Sequence, residues 1–326
     1  MKTAVWMYLG VPALALSTIA STAVAQGNYP SAPIKIVWGY TPGATGDLVA
    51  RLLAQNLSSQ MNANVLVENK PGANGNISAE LVAKSKPDGY TLLFNSPGLV
   101  VSRVIGEKLG YDLFKDLTPI ARVASAPYFL VVTPALPANT VAEFIAYVRS
   151  HPDKLAYASS GNGSSPHLGT LLFLQAHGLT ALHVPYKGTA PSMTDLAAGR
   201  IQFRFTDPKA ALPMVKDKRL KAIAFAGLKR SPLMPELPTM VESGMPGFEV
   251  GTWFSMMAPA NTPPAIVKRL SGEIVKALQN PEVKARLEQQ GVGPTGSSPE
   301  NYGAYLRSEA KRWGKVVKTA GIKAGN

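Results

Sequence analysis

A unit that reads as strand, loop and helix occurs twice in this chain, starting near residues 34 and 155. In each copy a β-rich run enters a loop of small residues that opens into a helical apolar pattern. We call residues 40–47 loop 1 and residues 159–165 loop 2. Such a loop presents backbone N–H groups at the positive end of a helix, which favours anions. Two of them predict a small anionic ligand held from both sides.

Between and after these units, predicted strands alternate with predicted helices. The further strand patterns are residues 65–68, 90–94, 181–184 and 201–205. This alternation indicates a parallel α/β architecture. Because ligands of such sheets bind beyond the carboxyl ends of the strands, loops 1 and 2 and residues 95–98 and 206–207 are expected at one site.

The chain is expected to divide into two domains joined by two crossover segments. Residues 128–132 are apolar and flanked by prolines, and residues 249–258 offer a return path. We therefore assign residues 26–127 and 252–326 to domain 1 and residues 128–251 to domain 2. Two amphipathic helices, at residues 264–278 and 299–319, are predicted in the C-terminal part.

The first 25 residues are interpreted as a cleavable secretory signal peptide. Lys2 precedes an apolar run at residues 4–16, and a small-x-small site at residues 23–25 predicts cleavage before Gln26. A transmembrane anchor is the competing interpretation, but the run is short for one. Since the chain has no cysteine, it needs no disulfide framework, which fits a bacterial periplasm.

The positive charge does not carry a nucleic-acid signature. The formal net charge is +13, from 33 Lys and Arg against 20 Asp and Glu. These residues are dispersed singly, without a basic stripe interleaved with aromatic residues, so no nucleic-acid partner is expected. A basic surface can still steer anionic solutes to a cleft.

Enzyme and metal sites find little support in the motifs. Ser164 and His167 are three residues apart and suggest a periplasmic hydrolase with a serine nucleophile in loop 2 as the alternative function. However, no G-x-S-x-G motif surrounds Ser164 and no orienting acid is evident. The four histidines lack metal-ligand spacing, and no nucleotide-binding loop is complete. No catalytic group, metal or cofactor is therefore expected.

A series of motifs, in order along nearly the whole mature chain, resembles the Bug (TctC-like) receptors of tripartite tricarboxylate transporters. Early motifs include Pro42-Gly43 with Asp47, the stretch at residues 67–72, and Asp88-Gly89-Tyr90. Later ones are residues 160–164, 184–188 and 229–231, Pro238-Thr239, and Arg312-Trp313-Gly314.

The resemblance implies a non-enzymatic receptor with a periplasmic-binding fold, whose cleft closes around a small carboxylate. The receptor is expected to be a monomer. The expected ligand is a di- or tricarboxylate or an aromatic carboxylic acid, and the expected partners are membrane permease subunits or a sensor protein. In the family, loop 1 holds one carboxylate through backbone amides and ordered water. Loop 2 would then hold the other end of the ligand.

The predicted ligand-binding set combines both loops with the neighbouring strand ends. It comprises Tyr40, Thr41, Gly43, Ala44, Thr45, Asp47, Asn95, Ser96, Ser159, Ser160, Gly163, Ser164, Ser165, His167 and Asp207. Asp47 is expected to cap the helix and shape loop 1, or to bind an amino group or water, because its carboxylate would repel an anion. Ala44 replaces a family glycine, and the more apolar residues 95–100 depart from the family pattern and favour a less polar ligand.

Overall fold

The computed structural model describes residues 29–43, 45–152 and 154–324. The predicted signal peptide and Ala44 lie outside these residues. The described chain forms two β-sheets with helices packed around them, which confirms the predicted α/β class.

The elements follow one another in the order strand, helix, strand over most of the chain. The strands are β1 (Ile34–Trp38), β2 (Val65–Asn69), β3 (Thr91–Asn95), β4 (Leu117–Pro127), β5 (Phe129–Val132), β6 (Ala156–Ser159), β7 (Leu182–Pro185), β8 (Phe203–Thr206), β9 (Lys221–Phe225), β10 (Gly251–Pro259) and β11 (Gly293–Pro294). The helices are α1 (Thr45–Met61), α2 (Asn76–Ala83), α3 (Gly98–Val104), α4 (Val141–Ser150), α5 (Ser165–His177), α6 (Thr189–Ala197), α7 (Pro208–Lys216), α8 (Pro264–Gln279), α9 (Pro281–Glu288) and α10 (Pro299–Ala320).

Both sheets are mixed rather than purely parallel. The first sheet has the order β11-β4-β10-β3-β1-β2, and the second has the order β7-β6-β8-β5-β9. The units recognised in the sequence supply the parallel pairs of β1 with β2 and β3, and of β6 with β7 and β8. The antiparallel pairs involve β4, β5, β10 and the edge strands β9 and β11, because the chain enters and leaves each sheet through such strands.

The chain passes from the first sheet to the second between Pro127 and Phe129 and returns into β10. At this crossing, β4 and β10 lie antiparallel and pair from Leu117 opposite Pro259 to Pro127 opposite Gly251. A Cβ atom at Gly251 would lie 2.5 Å from the Ala126 carbonyl oxygen. Glycine is therefore needed where the two connections run side by side.

Helix α1 begins at Thr45, three residues before the position predicted from the apolar pattern. Its buried face includes Val49, Leu52, Leu53 and Leu57, as the 3.6-residue period predicts. The early start places Asp47 inside the first turn rather than at the N-cap. Across the described ranges, no helix has both the length and the apolar character required to cross a membrane.

Candidate ligand-binding cleft

A cleft of about 430 Å³ lies between the two sheets. Strand ends β1, β3, β6 and β8 lead into it, as expected for ligand sites of α/β sheets. Its lining is mostly small, hydroxylic or aromatic. The lining residues are Trp38, Tyr40, Thr45, Gly46, Asn74, Ser96, Pro97, Gly98, Val101, Tyr128, Ser160, Gly163, Ser164, Ser165, Pro166, Thr189, Arg204, Asp207, Thr252 and Phe254.

The first turns of several helices meet at this cleft. Thr45 belongs to α1, Gly98 to α3, Ser165 to α5 and Thr189 to α6, while Asp207 caps α7. The N–H groups of a first turn have no acceptor within their own helix, and they lie at the positive end of the helix dipole. The cleft is therefore a favourable environment for an anionic group.

Aromatic rings form the wall on the side of the first sheet, which we call the first-sheet wall. The Trp38 ring lies 4.7 Å from that of Tyr40 and 6.0 Å from that of Phe254, centroid to centroid. Among the described residues, the buried Trp38 indole N–H has no hydrogen-bond acceptor. This wall therefore suits the apolar body of a ligand and retains one unused donor.

Tyr40 is held in place by a hydrogen-bonded chain. Its hydroxyl donates to the Asn74 carbonyl oxygen at 2.9 Å and accepts from the Ser96 hydroxyl, also at 2.9 Å. Burial raises the Tyr40 pKa, and the Ser96 bond acts in the opposite sense. The phenol consequently stays neutral and presents its ring to the cleft.

The opposite wall, which we call the second-sheet wall, is polar. It includes Ser160, Ser164 and Ser165 of loop 2, together with Thr189 and Arg204. The Ser160 and Thr189 hydroxyl oxygens lie 3.3 Å apart. Arg204 lies in β8 and its side chain is fully buried.

Arg204 is the functional candidate that sequence reasoning missed. Burial lowers its pKa to about 10, although the nearby Tyr128 and Asp207 act to raise it. The guanidinium therefore remains charged at neutral pH. The available signal was one arginine between two phenylalanines in a predicted strand, where a buried charge is rare unless it is paired.

Two stacked histidines support loop 2 from behind. The ring centroids of His167 and His183 are 3.8 Å apart and the rings are nearly parallel. His167 Nδ1 accepts from the Gly163 N–H at 3.0 Å, and His183 Nε2 lies 2.7 Å from the Ser159 hydroxyl. Burial lowers the pKa of His167 to about 3, with His183 adding to the shift, and burial lowers that of His183 to about 4. Both rings are thus neutral, and Ser159 and His167 shape the loop without lining the cleft.

Asp47 organises loop 1 from outside the cleft. Its carboxylate accepts from the Gly43 N–H at 3.1 Å, from Arg51 Nε at 2.9 Å and from Asn69 Nδ2 at 2.9 Å. Burial raises the Asp47 pKa, but these partners outweigh it and hold the pKa below its ordinary value. Because α1 starts two residues before Asp47, this residue is not the expected N-cap. Its hydrogen bonds instead hold the conformation of loop 1.

Other members of the predicted set also lie outside the lining. Thr41 and Gly43 are exposed, and Ala44 lies outside the described residues. Asn95 is buried, and its Oδ1 accepts from the Ser255 and Tyr302 hydroxyls. The remaining predicted residues line the cleft: Tyr40, Thr45, Ser96, Ser160, Gly163, Ser164, Ser165 and Asp207.

The local geometry does not form a nucleophile and base from Ser164 and His167. The Ser164 hydroxyl donates to the Gly161 carbonyl oxygen at 2.7 Å, while His167 Nδ1 is used by the Gly163 N–H. Among the residues that the structure describes, no group of three or more His, Asp or Glu side chains could hold a metal ion.

Comparison with known proteins identifies the family. The family model described as "Tripartite tricarboxylate transporter family receptor" (TctC) matches residues 49–322. The chain belongs to this family. It is 34% identical to protein BugT of Bordetella pertussis, over 92% of this chain and 93% of that one.

Two solved structures resemble this TctC receptor in sequence and fold. One is R. palustris Rpa4515 with adipate, with a TM-score of 0.77 and 37% identity, covering 90% of this chain and 99% of the other. Another is MatC from Rhodopseudomonas palustris with bound malate, with a TM-score of 0.71 and 31% identity, covering 89% and 100%. The predicted Bug and TctC membership and two-domain periplasmic-binding fold are confirmed, and the protein is a solute receptor rather than an enzyme.

Proposed function

We propose that this TctC receptor captures a small organic carboxylate in the cleft and delivers it to permease subunits of a tripartite tricarboxylate transporter. The observation that carries the proposal is the convergence of four helix first turns and Arg204 on one cleft. Helix N-termini and a guanidinium both favour a carboxylate. The structures of relatives with adipate and malate support the same ligand class.

Capture proceeds by closure of the two domains. One domain comprises residues 26–127 and 252–326, and the other comprises residues 128–251. With these boundaries, the hinge would lie at the paired connections near Pro127 and Gly251. A ligand that contacts both walls favours the closed state, because only closure provides both sets of contacts. Micromolar affinity corresponds to about −8 kcal/mol, which helix-end amides, a charged group and aromatic contact can supply.

The setting follows from the same proposal. Cleavage before Gln26 would release a periplasmic protein, and the closed form would be recognised by the permease or by a sensor protein. The protein acts as a monomer that binds one ligand. The rings of Trp38, Tyr40 and Phe254 favour a ligand with an apolar or aromatic body between its polar groups.

A carboxylate screen tests the proposal. Purified protein is examined by thermal shift against aliphatic dicarboxylates, hydroxy-tricarboxylates and benzoates, and hits are measured by titration calorimetry. A ligand that binds only the folded state raises Tm, and one chemically related group of stabilisers is expected. Because Trp38 lines the cleft, binding should change tryptophan fluorescence, and Trp38→Phe should reduce that change.

Variants of loop 2 test whether the ligand binds in the cleft. Ser160→Ala and Ser165→Ala are expected to weaken a hit about three- to tenfold, in line with the loss of one hydrogen bond. Ser150→Ala, which removes an exposed hydroxyl bonded to the Tyr147 carbonyl, should leave affinity unchanged. Failure of every carboxylate class to stabilise folded, ligand-free protein would contradict the proposal.

A further inference from the structure

Arg204 carries a buried positive charge that forms no direct ion pair with a carboxylate of the described residues. Its Nε donates to the Phe205 carbonyl oxygen at 3.2 Å, Nη1 to the Thr189 carbonyl oxygen at 3.5 Å and to the Ser192 hydroxyl, and Nη2 to the Ser160 hydroxyl at 3.4 Å. All four acceptors are neutral. Within the described residues, none of the ion pairs with N···O distances up to 4.0 Å includes Arg204.

The surrounding backbone increases the positive potential at this point. Thr189 and Ser192 belong to the first turn of α6, whose dipole is positive at that end. A guanidinium at a helix N-terminus is unfavourable by itself. Burying it without a directly paired counter-ion adds a further cost, which a paired anion would offset.

Among the residues that the structure describes, Asp207 is the one carboxylate that lines the same cleft. It caps α7, where its Oδ1 accepts from the Ala210 N–H at 3.0 Å. The positive end of α7 therefore balances its charge. Asp207 also attracts the Arg204 charge through space, but it forms no direct ion pair with the guanidinium. The charge of Arg204 is therefore only partly compensated, and its position in the cleft lining makes it available to the ligand.

We propose that Arg204 is a specificity-determining residue, which pairs with a second acidic group of the ligand from the second-sheet wall. This inference rests on the proposed carboxylate-receptor function and deepens it. Helix-end amides alone bind both an anionic carboxylate and a neutral carbonyl, and they prefer the carboxylate only moderately. A fixed buried cation rejects the neutral group strongly, because the cation is then left unpaired. Arg204 thereby excludes monocarboxylates and esters of matching shape.

Matched ligand pairs test the assignment. Straight-chain dicarboxylates from succinate to sebacate, adipate included, are titrated calorimetrically against their monomethyl esters, which keep the length and lose one charge. The wild-type protein should favour the best-bound diacid over its ester about tenfold or more. Arg204→Gln should reduce this ratio to within about threefold, while Arg204→Lys should retain most of it.

The control variant removes the same net charge elsewhere. Arg219 lies at an exposed position shortly before β9 of the second sheet, so Arg219→Gln should preserve the wild-type ratio. Because the readout is a ratio for one protein, a general loss of folded protein does not alter it. A change in ratio in Arg219→Gln equal to that in Arg204→Gln would assign the preference to overall charge and overturn the inference.

The remaining outcomes separate this inference from the receptor proposal. Equal wild-type binding of a diacid and its ester, or an unchanged ratio in Arg204→Gln, would overturn the role of Arg204 while leaving the receptor function intact. If neither the diacids nor the esters bind the wild-type protein, the proposed function fails for these acids and the inference fails with it.

Discussion

Loops 1 and 2 look equivalent in the sequence, but different chemistry holds each of them. Loop 1 is fixed by an anion, since the Asp47 carboxylate joins Gly43, Arg51 and Asn69. Loop 2 is fixed by the neutral imidazoles of His167 and His183. The acidic support of loop 1 lies outside the cleft, so its negative charge does not face an anionic ligand.

The two walls of the cleft also differ in chemistry. The first-sheet wall offers aromatic surface with α1 packed close against it, whereas the second-sheet wall offers hydroxyls and the charge of Arg204. One side therefore suits the body of a ligand and the other suits an acidic group. Three changes test these contrasts between the loops and between the walls, in decreasing order of expected effect.

Removing the carboxylate that supports loop 1 should have the largest effect. Asp47→Ala leaves Arg51 and Asn69 without a shared acceptor, so the free energy of unfolding should fall by about 3 kcal/mol. Urea denaturation measures the change, with Glu236→Ala as an exposed acidic control. A loss no larger than that of the control would show that loop 1 does not depend on this anion.

Crowding the first-sheet wall should have the next largest effect. A Cβ atom at Gly46 would lie 2.2 Å from the Trp38 ring and 2.8 Å from the Phe254 ring. Gly46→Ala should therefore lower stability by about 2 kcal/mol and weaken ligand binding, as measured by thermal unfolding and calorimetry. In contrast, Gly272 of α8 has open space around its Cβ position, so Gly272→Ala should raise stability by up to about 1 kcal/mol.

Acidification should act on loop 2 with a smaller effect. The folded-state pKa of His167, about 3, lies below its unfolded value, so the unfolded chain takes up more protons as the pH falls. The stabilisation is complete above pH ~6.5 and declines as the pH decreases toward the folded pKa. Between pH 7.5 and 5.5, His167 should account for a loss of about 1.4 kcal/mol, with a smaller contribution from the partly exposed His183.

Chemical denaturation across this pH range measures the decline. His167→Gln should flatten the profile, while His151→Gln, outside loop 2, should preserve it. Identical slopes for the wild-type protein and His167→Gln would contradict the neutral support of loop 2.

Many helices and strands of the fold can be predicted from the local spacing of apolar residues. The apolar spacing of Leu52, Leu53 and Leu57 predicted α1, and the bounds of α8 and α10 match the predicted helices within one residue. The strands β4, β9 and β11 were not predicted, because their burial depends on partners distant in sequence. The antiparallel character of β5 and β10 was likewise not evident, since strand direction is set by how the chain crosses between sheets.

The sequence by itself determined the family, the α/β class and the two loops at strand ends, because glycine, hydroxyl and periodic apolar residues act over a few neighbouring positions. Only the tertiary structure decided which of their side chains line the cleft. It placed the Asp47 side chain outside the cleft and stacked His167 on His183. It also brought Arg204 to the cleft beside Ser160 and Thr189. These placements depend on contacts between residues far apart in the chain, so no local pattern specifies them.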